Sequence, residues 1–319
     1  MDPFELSTDH ATLSNRDLHF WCIHNTGSMM STLAQLLFSG LTVGSIYALV
    51  ALGFIIIYNA SEIVNFAQGE FVMLGGMTAA FAYEAGAPLY LAAAIAIVAA
   101  IVVGMLLQRL AIEPARDASL VTITIITIGA SIFIRGVVQV IFDKQGHRLP
   151  AFWSETPLRI GAATILPQSI IVVVGAIIIF ALLYLLFSRT LTGKGLQAMS
   201  TNRDAARLVG INIGFMSFLS FGLSAAVGAI AGILVTPITL TSADIGVTLA
   251  LKGFAGAMLG GMGSPLGAVV GGLLIGMLEA MTAGYLSSAY KDAVAFVVII
   301  VVLFVMPQGL FGKTLIERV

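Results

Sequence analysis

Stretches of about 20 residues with almost no charge recur along this chain, and that is the length an α-helix needs to cross the hydrocarbon of a bilayer. Eight or nine of them follow one another, at about Leu36–Tyr58, Phe71–Tyr83, Leu89–Gln108, Leu120–Ile141, Thr164–Phe187, Phe215–Pro237, Ile245–Leu259, Leu266–Tyr285 and Ala293–Met306. The second and the seventh are short and glycine-rich, which predicts half-helices or re-entrant segments. With 59% hydrophobic and 10% charged residues, a soluble fold of 319 residues has too few charges to cover its apolar surface, whereas lipid removes that need. The expected fold is therefore an all-α integral membrane protein, a polytopic helical bundle of 8–9 spans with short or broken helices. The alternating pattern of an outer-membrane barrel is missing.

The net charge of −1 gives no reason to expect a nucleic-acid partner, and Cys22, the single cysteine, excludes an internal disulfide or a cysteine metal cluster. Lys and Arg set the orientation. Arg109 and Arg116 follow the third stretch, Arg189, Lys194, Arg203 and Arg207 the fifth, and Lys313 and Arg318 close the chain. Placing all three groups in the cytoplasm requires nine spans and an N-terminus outside. The segment from Phe142 to Pro167 then faces out, although it carries Lys144, Arg148 and Arg159 beside Asp143 and Glu155.

Two domains of unequal weight follow. Residues 1–28 are a polar tail, either disordered or an over-called start with Met29 or Met30 as the true beginning. The tail lacks the basic, apolar and small-residue layout of a signal peptide, and His10, His19, His24 and Cys22 are not spaced as a zinc module. Residues 29–319 form a single transmembrane domain with a cytoplasmic loop at 189–212.

That loop holds two short polar stretches that look helical. Asn202 is placed to cap the second, Asp204 lies in its first turn where the helix dipole favours an anion, and Gly210 ends it. Such a helix either fills a groove on a partner protein or is a solvated basic loop that fixes topology. Near the membrane boundary, between a full span and a short one, Asn65 and Gln68 are able to hydrogen-bond a zwitterion, and Glu70 follows them at the start of the short segment. The competing reading has Asn65 capping a helix and Glu70 reaching cytoplasmic water. Lys252 is an intramembrane cation that lines a pathway, pairs with a carboxylate such as Glu279, or snorkels outward. Arg135 is expected to snorkel at the outer end of the fourth span. Glu279, Lys291 and Asp292 are read as outer surface groups.

Several spacings point to close helix contact: Gly40–Gly44, Gly228–Gly232, Gly256–Gly260, Gly267–Gly271 and Gly272–Gly276. Met73–Met77 recurs as Met258–Met262 (MLGGM), in spans of opposite sense, as inverted repeats require. Gly312-Lys313-Thr314 resembles the end of a phosphate loop, but Pro307 stands where the pattern needs glycine.

The run Asp204-Ala205-Ala206-x-x-x-Gly210 resembles the E-A-A-x-x-x-G loop of ABC importer permeases, with Asp for Glu. Four more stretches resemble the branched-chain amino acid permeases of the LivH type: Asn65–Glu70, Arg109–Arg116 with Glu113-Pro114, Lys252–Gly267, and Tyr290–Gly312 ending in MPQGLFG. The resemblance covers about Leu33 to Gly312; Gln68 stands where the family often has His, and the tail is not part of it.

The resemblance implies a permease subunit of an ATP-binding-cassette importer in the bacterial cytoplasmic (inner) membrane. It implies coupling to the ATPase through Lys194, Asn202, Arg203, Asp204, Ala205, Ala206, Arg207 and Gly210. Asn65, Gln68, Glu70 and Lys252 are the candidates for a substrate pathway. The implied partners are ATP-binding subunits, a second permease subunit (the same or homologous) and a periplasmic or extracellular substrate-binding protein. On this reading the chain is no enzyme and binds no cofactor; ATP is used by the partner subunits. The cargo implied is Leu, Ile, Val or a related amino acid. The alternative is a self-sufficient secondary transporter or channel for a small polar solute, which needs titratable groups at mid-membrane or a polar pore lining.

Overall fold

The computed structural model describes residues 15–142, 145–154, 156–160 and 163–312, with side chains from Ser31 onward except those of Arg159, Ile160 and Ala163. Eleven α-helices and one small hairpin make up these residues. They are α1 (Asn15–Ser61), α2 (Gln68–Glu84), α3 (Leu89–Leu107), α4 (Leu120–Phe142), β1 (Leu158–Ile160), β2 (Ala163–Ile165), α5 (Pro167–Arg189), α6 (Leu191–Thr201), α7 (Arg203–Leu208), α8 (Ile213–Val235), α9 (Ile245–Gly260), α10 (Pro265–Tyr285) and α11 (Lys291–Val305). A π turn, Gln108–Ile112, extends α3.

Local chemistry sets several of the ends. Gly86, at φ 94°, follows α2, and Pro88 fixes the chain just before α3. Prolines open α5 and α10 in the first turn, where no backbone N–H is missed. The Ser264 hydroxyl caps α10 by accepting from Gly267 N at 3.1 Å. Nothing between Asn15 and Met30 stops a helix, since that stretch has no proline and one glycine, Gly27. So α1 runs unbroken through the boundary expected at residue 28; residues 1–14 lie outside the described residues.

Among the described residues, seven helices are long and apolar enough to cross a membrane: α1, α3 with its π turn, α4, α5, α8, α10 and α11 with the turn before it. The other two apolar stretches are the shorter helices α2, of 17 residues, and α9, of 16. The count of eight or nine spans thus resolves into seven full crossings and two short helices. α1 is the centre: 89% of its most apolar stretch is buried, against 17% for α4 and α5 and 6% for α11.

Close contacts fix the directions. Gly40 and Gly44 of α1 meet Gly276 and Leu273 of α10, and Gly256 and Gly260 of α9 meet Gly272 and Gly267 of α10. Both pairs are antiparallel, and all five expected glycine spacings serve close helix contacts within the chain, those of Gly228 and Gly232 being with the parallel α2. The ends of α1, α3, α5 and α9 and the starts of α4, α8 and α10 share one face of the molecule with α6 and α7. The segment between α4 and α5 lies at the opposite face, where His147 forms an isolated bridge with Thr241. The N-terminal part of α1 lies there too, with Leu36 against Gly284 near the end of α10.

The two short helices begin inside the bundle. After Ser61 the chain turns back at Glu62, a non-glycine residue at φ 59°. It then brings Gln68 against Gly53 of α1 and Ser224 of α8. Gly53 lies eight residues before Ser61 on α1, about 12 Å deeper at the helical rise. α9 likewise starts beside α2, with Gly246 against Gly69 and Met73. The two run antiparallel, and the rings of Phe66 and Phe254 meet at a tilt with centroids 5.7 Å apart. The two MLGGM copies therefore do run in opposite senses, yet they hold different places. Met73–Met77 sits within α2 against α8, whereas Met258–Met262 ends α9 against Gly267 and the segment at Gln308–Gly312.

Candidate functional site

The 189–212 loop folds as two capped helices with one apolar underside. Thr190 caps α6 by accepting from Gly193 N at 3.0 Å, and Asn202 caps α7 by accepting from Ala205 N at 2.9 Å. Gly210, at φ 88°, terminates α7, and Ile211 N returns to the Ala206 carbonyl at 3.0 Å. Leu196, Met199 and Ala206 are buried against Ala60 at the end of α1, with Ile213 and Met216 of α8 beside them. Lys194, Asn202, Arg203, Asp204, Ala205, Arg207 and Gly210 are exposed. Leu208 and Val209 stand bare among them, 88% and 75% exposed. Arg203 Nη1 reaches the Ser61 carbonyl at 3.5 Å, which joins α7 to the turn that leads into α2. Behind α7 lies a polar cavity of about 890 Å³, bordered by Ser61, Glu62, Glu113, Ile123, Arg203 and Asp204.

The pathway candidates are all buried, and the structure separates them by what holds them. Gln68 is held as a strut: its Oε1 lies 2.6 Å from Ser224 Oγ, which also lies 2.8 Å from the Gly53 carbonyl, and its Nε2 donates to the Ser224 carbonyl at 3.4 Å. Its amide is thus tied to α1 and α8. Asn65 Oδ1 accepts from Ala67 N at 3.1 Å, so Asn65 shapes the turn before α2. Lys252 Nζ lies 2.8 Å from Glu279 Oε1 and 2.6 Å from Asp292 Oδ1, and Tyr47 donates to Glu279 Oε2 at 2.7 Å. The Tyr47 ring lies 5.5 Å from the same ammonium.

Three sequence expectations are corrected here. Glu70 does not reach cytoplasmic water: it is 1% exposed, and its Oε1 lies 2.6 Å from Arg135 Nη2 and 2.7 Å from Ser131 Oγ. Arg135 does not snorkel outward, because an acidic partner lies within reach across the α2–α4 contact. Glu279 is no surface group; it is buried against Lys252, and α11 begins low enough to bring Asp292 to the same ammonium. Sequence reading missed the Glu70–Arg135 pair. The polar residues Thr127, Ser131 and Arg135 at four-residue spacing on an otherwise apolar helix are the signal that marks this face.

On the face opposite α6 and α7 the imidazole of His147 lies between three elements. Its Nδ1 faces the Glu84 carboxylate at 3.0 Å and its Nε2 the Phe142 carbonyl at 3.0 Å, while its backbone pairs with Thr241. This ties the end of α2, the end of α4 and the α8–α9 connection together.

Residues 36–303 match the family described as "Branched-chain amino acid transport system / permease component". The high-affinity branched-chain amino acid transport system permease protein LivH of Escherichia coli (strain K12) is 33% identical over 301 residues, covering 89% of this chain and 97% of that one. The corresponding BraD protein of Pseudomonas aeruginosa is 34% identical with the same coverage. The galactofuranose transporter permease protein YtfT of Escherichia coli (strain K12) is 28% identical, over 82% of this chain and 76% of that one. Seven apolar helices among the described residues, with a buried α1 at their centre, together with this match over most of the length, make the chain a multi-pass inner-membrane protein that belongs to the family of branched-chain amino acid transport permease components.

Proposed function

We propose that this chain is the translocating subunit of an ATP-binding-cassette importer for branched-chain or related amino acids, moved between outward- and inward-open states by separate ATPase subunits. The observation that carries the reading is α7. It is capped at both ends, its underside is anchored on α1 and α8, and its outer surface offers charges around the bare Leu208 and Val209. A rigid helix with exposed apolar tips is suited to a groove on a partner protein. Arg203 links it to Ser61, so a displacement of α7 reaches the turn before α2. Coupling of this kind needs two ends that bias one bistable element. The cytoplasmic end is the 189–212 loop, with Lys194, Asn202, Arg203, Asp204, Ala205, Ala206, Arg207 and Gly210 as the docking residues.

The outer end is the segment between Phe142 and Pro167 around His147, which receives a substrate-binding protein. A second permease subunit completes the path. ATP is spent by the partner subunits, and this chain holds no cofactor of its own. The cargo follows from the relatives named for branched-chain amino acids.

The test is ATP-dependent uptake of labelled leucine by proteoliposomes that contain the chain, its co-purifying subunits and the binding protein. Asp204→Lys with Gly210→Trp is expected to abolish both uptake and ATPase-subunit binding. Uptake by the chain alone, without ATP and indifferent to these changes, would overturn the reading in favour of a secondary transporter.

A further inference from the structure

Buried polar groups in this bundle fall into two kinds. Gln68, Lys252 and Glu279 have their hydrogen-bonding atoms engaged by protein partners. Glu70 and Arg135 hold each other by one atom apiece, Nη2 to Oε1, and Ser131 Oγ joins the same two atoms. Glu70 Oε2 and Arg135 Nε are buried without a partner among the described residues, as is Asn65 Nδ2 on the turn into α2. A guanidinium and a carboxylate free to arrange themselves form a two-pronged pair. One unused prong on each, at a depth where an unpaired polar atom costs several kcal/mol, reserves binding capacity of both signs.

The depth and the surroundings agree. Arg135 stands fifteen residues above Leu120, about 22 Å along α4 and so roughly two-thirds across a 30 Å hydrocarbon layer. Its side chain is 24% exposed there, on a helix surface where lipid would penalise it. α9 starts against Gly69 and Met73, which bracket Glu70; Asp244, the residue before it, and Thr248, in its first turn, are exposed. Towards the cytoplasm, Thr127 lies two turns below Arg135 on the same face of α4, and its hydroxyl accepts from Phe66 N at 3.3 Å. One turn further, Ile123 borders the 890 Å³ cavity behind α7.

We infer that Glu70 and Arg135 form an intramembrane binding site for the charged head of an α-amino acid. Glu70 takes the ammonium and Arg135 the carboxylate, with the Ser131 hydroxyl beside them, and the two re-pair as the cargo leaves. The inference rests on the amino-acid reading above. A zwitterion offers both charges on one carbon, so it replaces one ion pair with two. The self-pair competes with cargo, which keeps binding weak enough for release.

The experiment uses the assembled transporter in proteoliposomes, with uptake of labelled leucine and binding-protein-stimulated ATP hydrolysis read in parallel. Glu70→Gln with Arg135→Met removes both charges at once, so neither is left alone in the membrane. The expected result is stimulated ATP hydrolysis near the wild-type rate and uptake reduced at least about tenfold, the loss for a missing charge-assisted contact. Uptake at the wild-type rate in that double variant overturns the inference and leaves the pair as a tie between α2 and α4. If the double variant does not assemble, Arg135→Lys decides, because it keeps the ion pair and removes the fork: reduced uptake supports the site, and wild-type uptake overturns it. Wild-type proteoliposomes that hydrolyse ATP but take up no leucine sink the cargo reading, and this inference with it.

Discussion

Lys252 Nζ lies 2.8 Å from Glu279 Oε1, a contact that joins α9 to α10 inside the membrane. Asp292 adds α11 to the same ammonium, and Tyr47 adds α1 through Glu279. Four helices thus converge on one cation. Lys252→Met leaves Glu279 buried and unpaired, a loss of about 3–5 kcal/mol for a broken buried pair. Lys252→Met with Glu279→Leu removes both charges and recovers most of that loss. Thermal unfolding of the purified chain in detergent checks the order: wild type, then the double variant, then Lys252→Met. Equal melting of the single and double variants would show that the pair does not hold the bundle.

Gln68 fills the slot left by Gly53 and Gly228, where a Cβ on Gly53 would meet its side-chain nitrogen. Gln68→Leu deprives Ser224 of an amide partner in a buried position and is expected to cost about 1–3 kcal/mol. Gln68→His restores a polar ring able to face Ser224 and is expected to melt closer to wild type. Stability of the two variants, measured side by side, separates loss of the hydrogen bond from loss of the shape. Equal destabilisation would assign the role of Gln68 to shape alone.

The α7 cap is open to measurement by amide exchange. Asn202→Ala removes the 2.9 Å bond to Ala205 N and is expected to destabilise α7 by about 1 kcal/mol. Exchange at 203–209 then quickens about fivefold while α1 and α8 stay unchanged. Unaltered exchange would mean that the apolar contacts of Ala206 alone hold the helix.

The helices and the folded form of the 189–212 loop are legible because their signals are local: apolar length, a capping residue at Asn202 and a glycine at 210. The shortness of α2 and α9 was legible too. Their depth was not, since it depends on Gly53, Gly69 and Gly246 letting backbones meet across helices. The pairing of Glu70 with Arg135 spans 65 positions, and no sequence periodicity gives the register between α2 and α4. Counting residues along α4 put Arg135 near the outer surface, and only the inward start of α2 brings an acid to it. Glu279 was misplaced for the same reason. A charge near the end of an apolar stretch reads as a surface group until its neighbour, α11, is known to begin below that surface.

The glycines divide into two sets with opposite expected responses. A Cβ on Gly256 would sit 2.8 Å from Gly272 Cα, and one on Gly44 would sit 2.9 Å from Leu273 Cα. Backbone cannot yield as a side chain can, so Gly256→Val and Gly44→Val force α10 away from α9 or α1, with a loss of at least about 1–3 kcal/mol each. Gly129 and Gly136, on α4, have nothing within 4 Å of a built Cβ. Alanine there meets no obstacle in the isolated chain, and it favours the helix by up to about 1 kcal/mol. Expression and melting of the four single variants form the test, with Gly129→Ala and Gly136→Ala expected at or above wild type. A drop in assembly with the other subunits, with melting of the isolated chain unchanged, would locate a helix contact on that face of α4. Tolerance of Gly256→Val would contradict the close α9–α10 crossing itself.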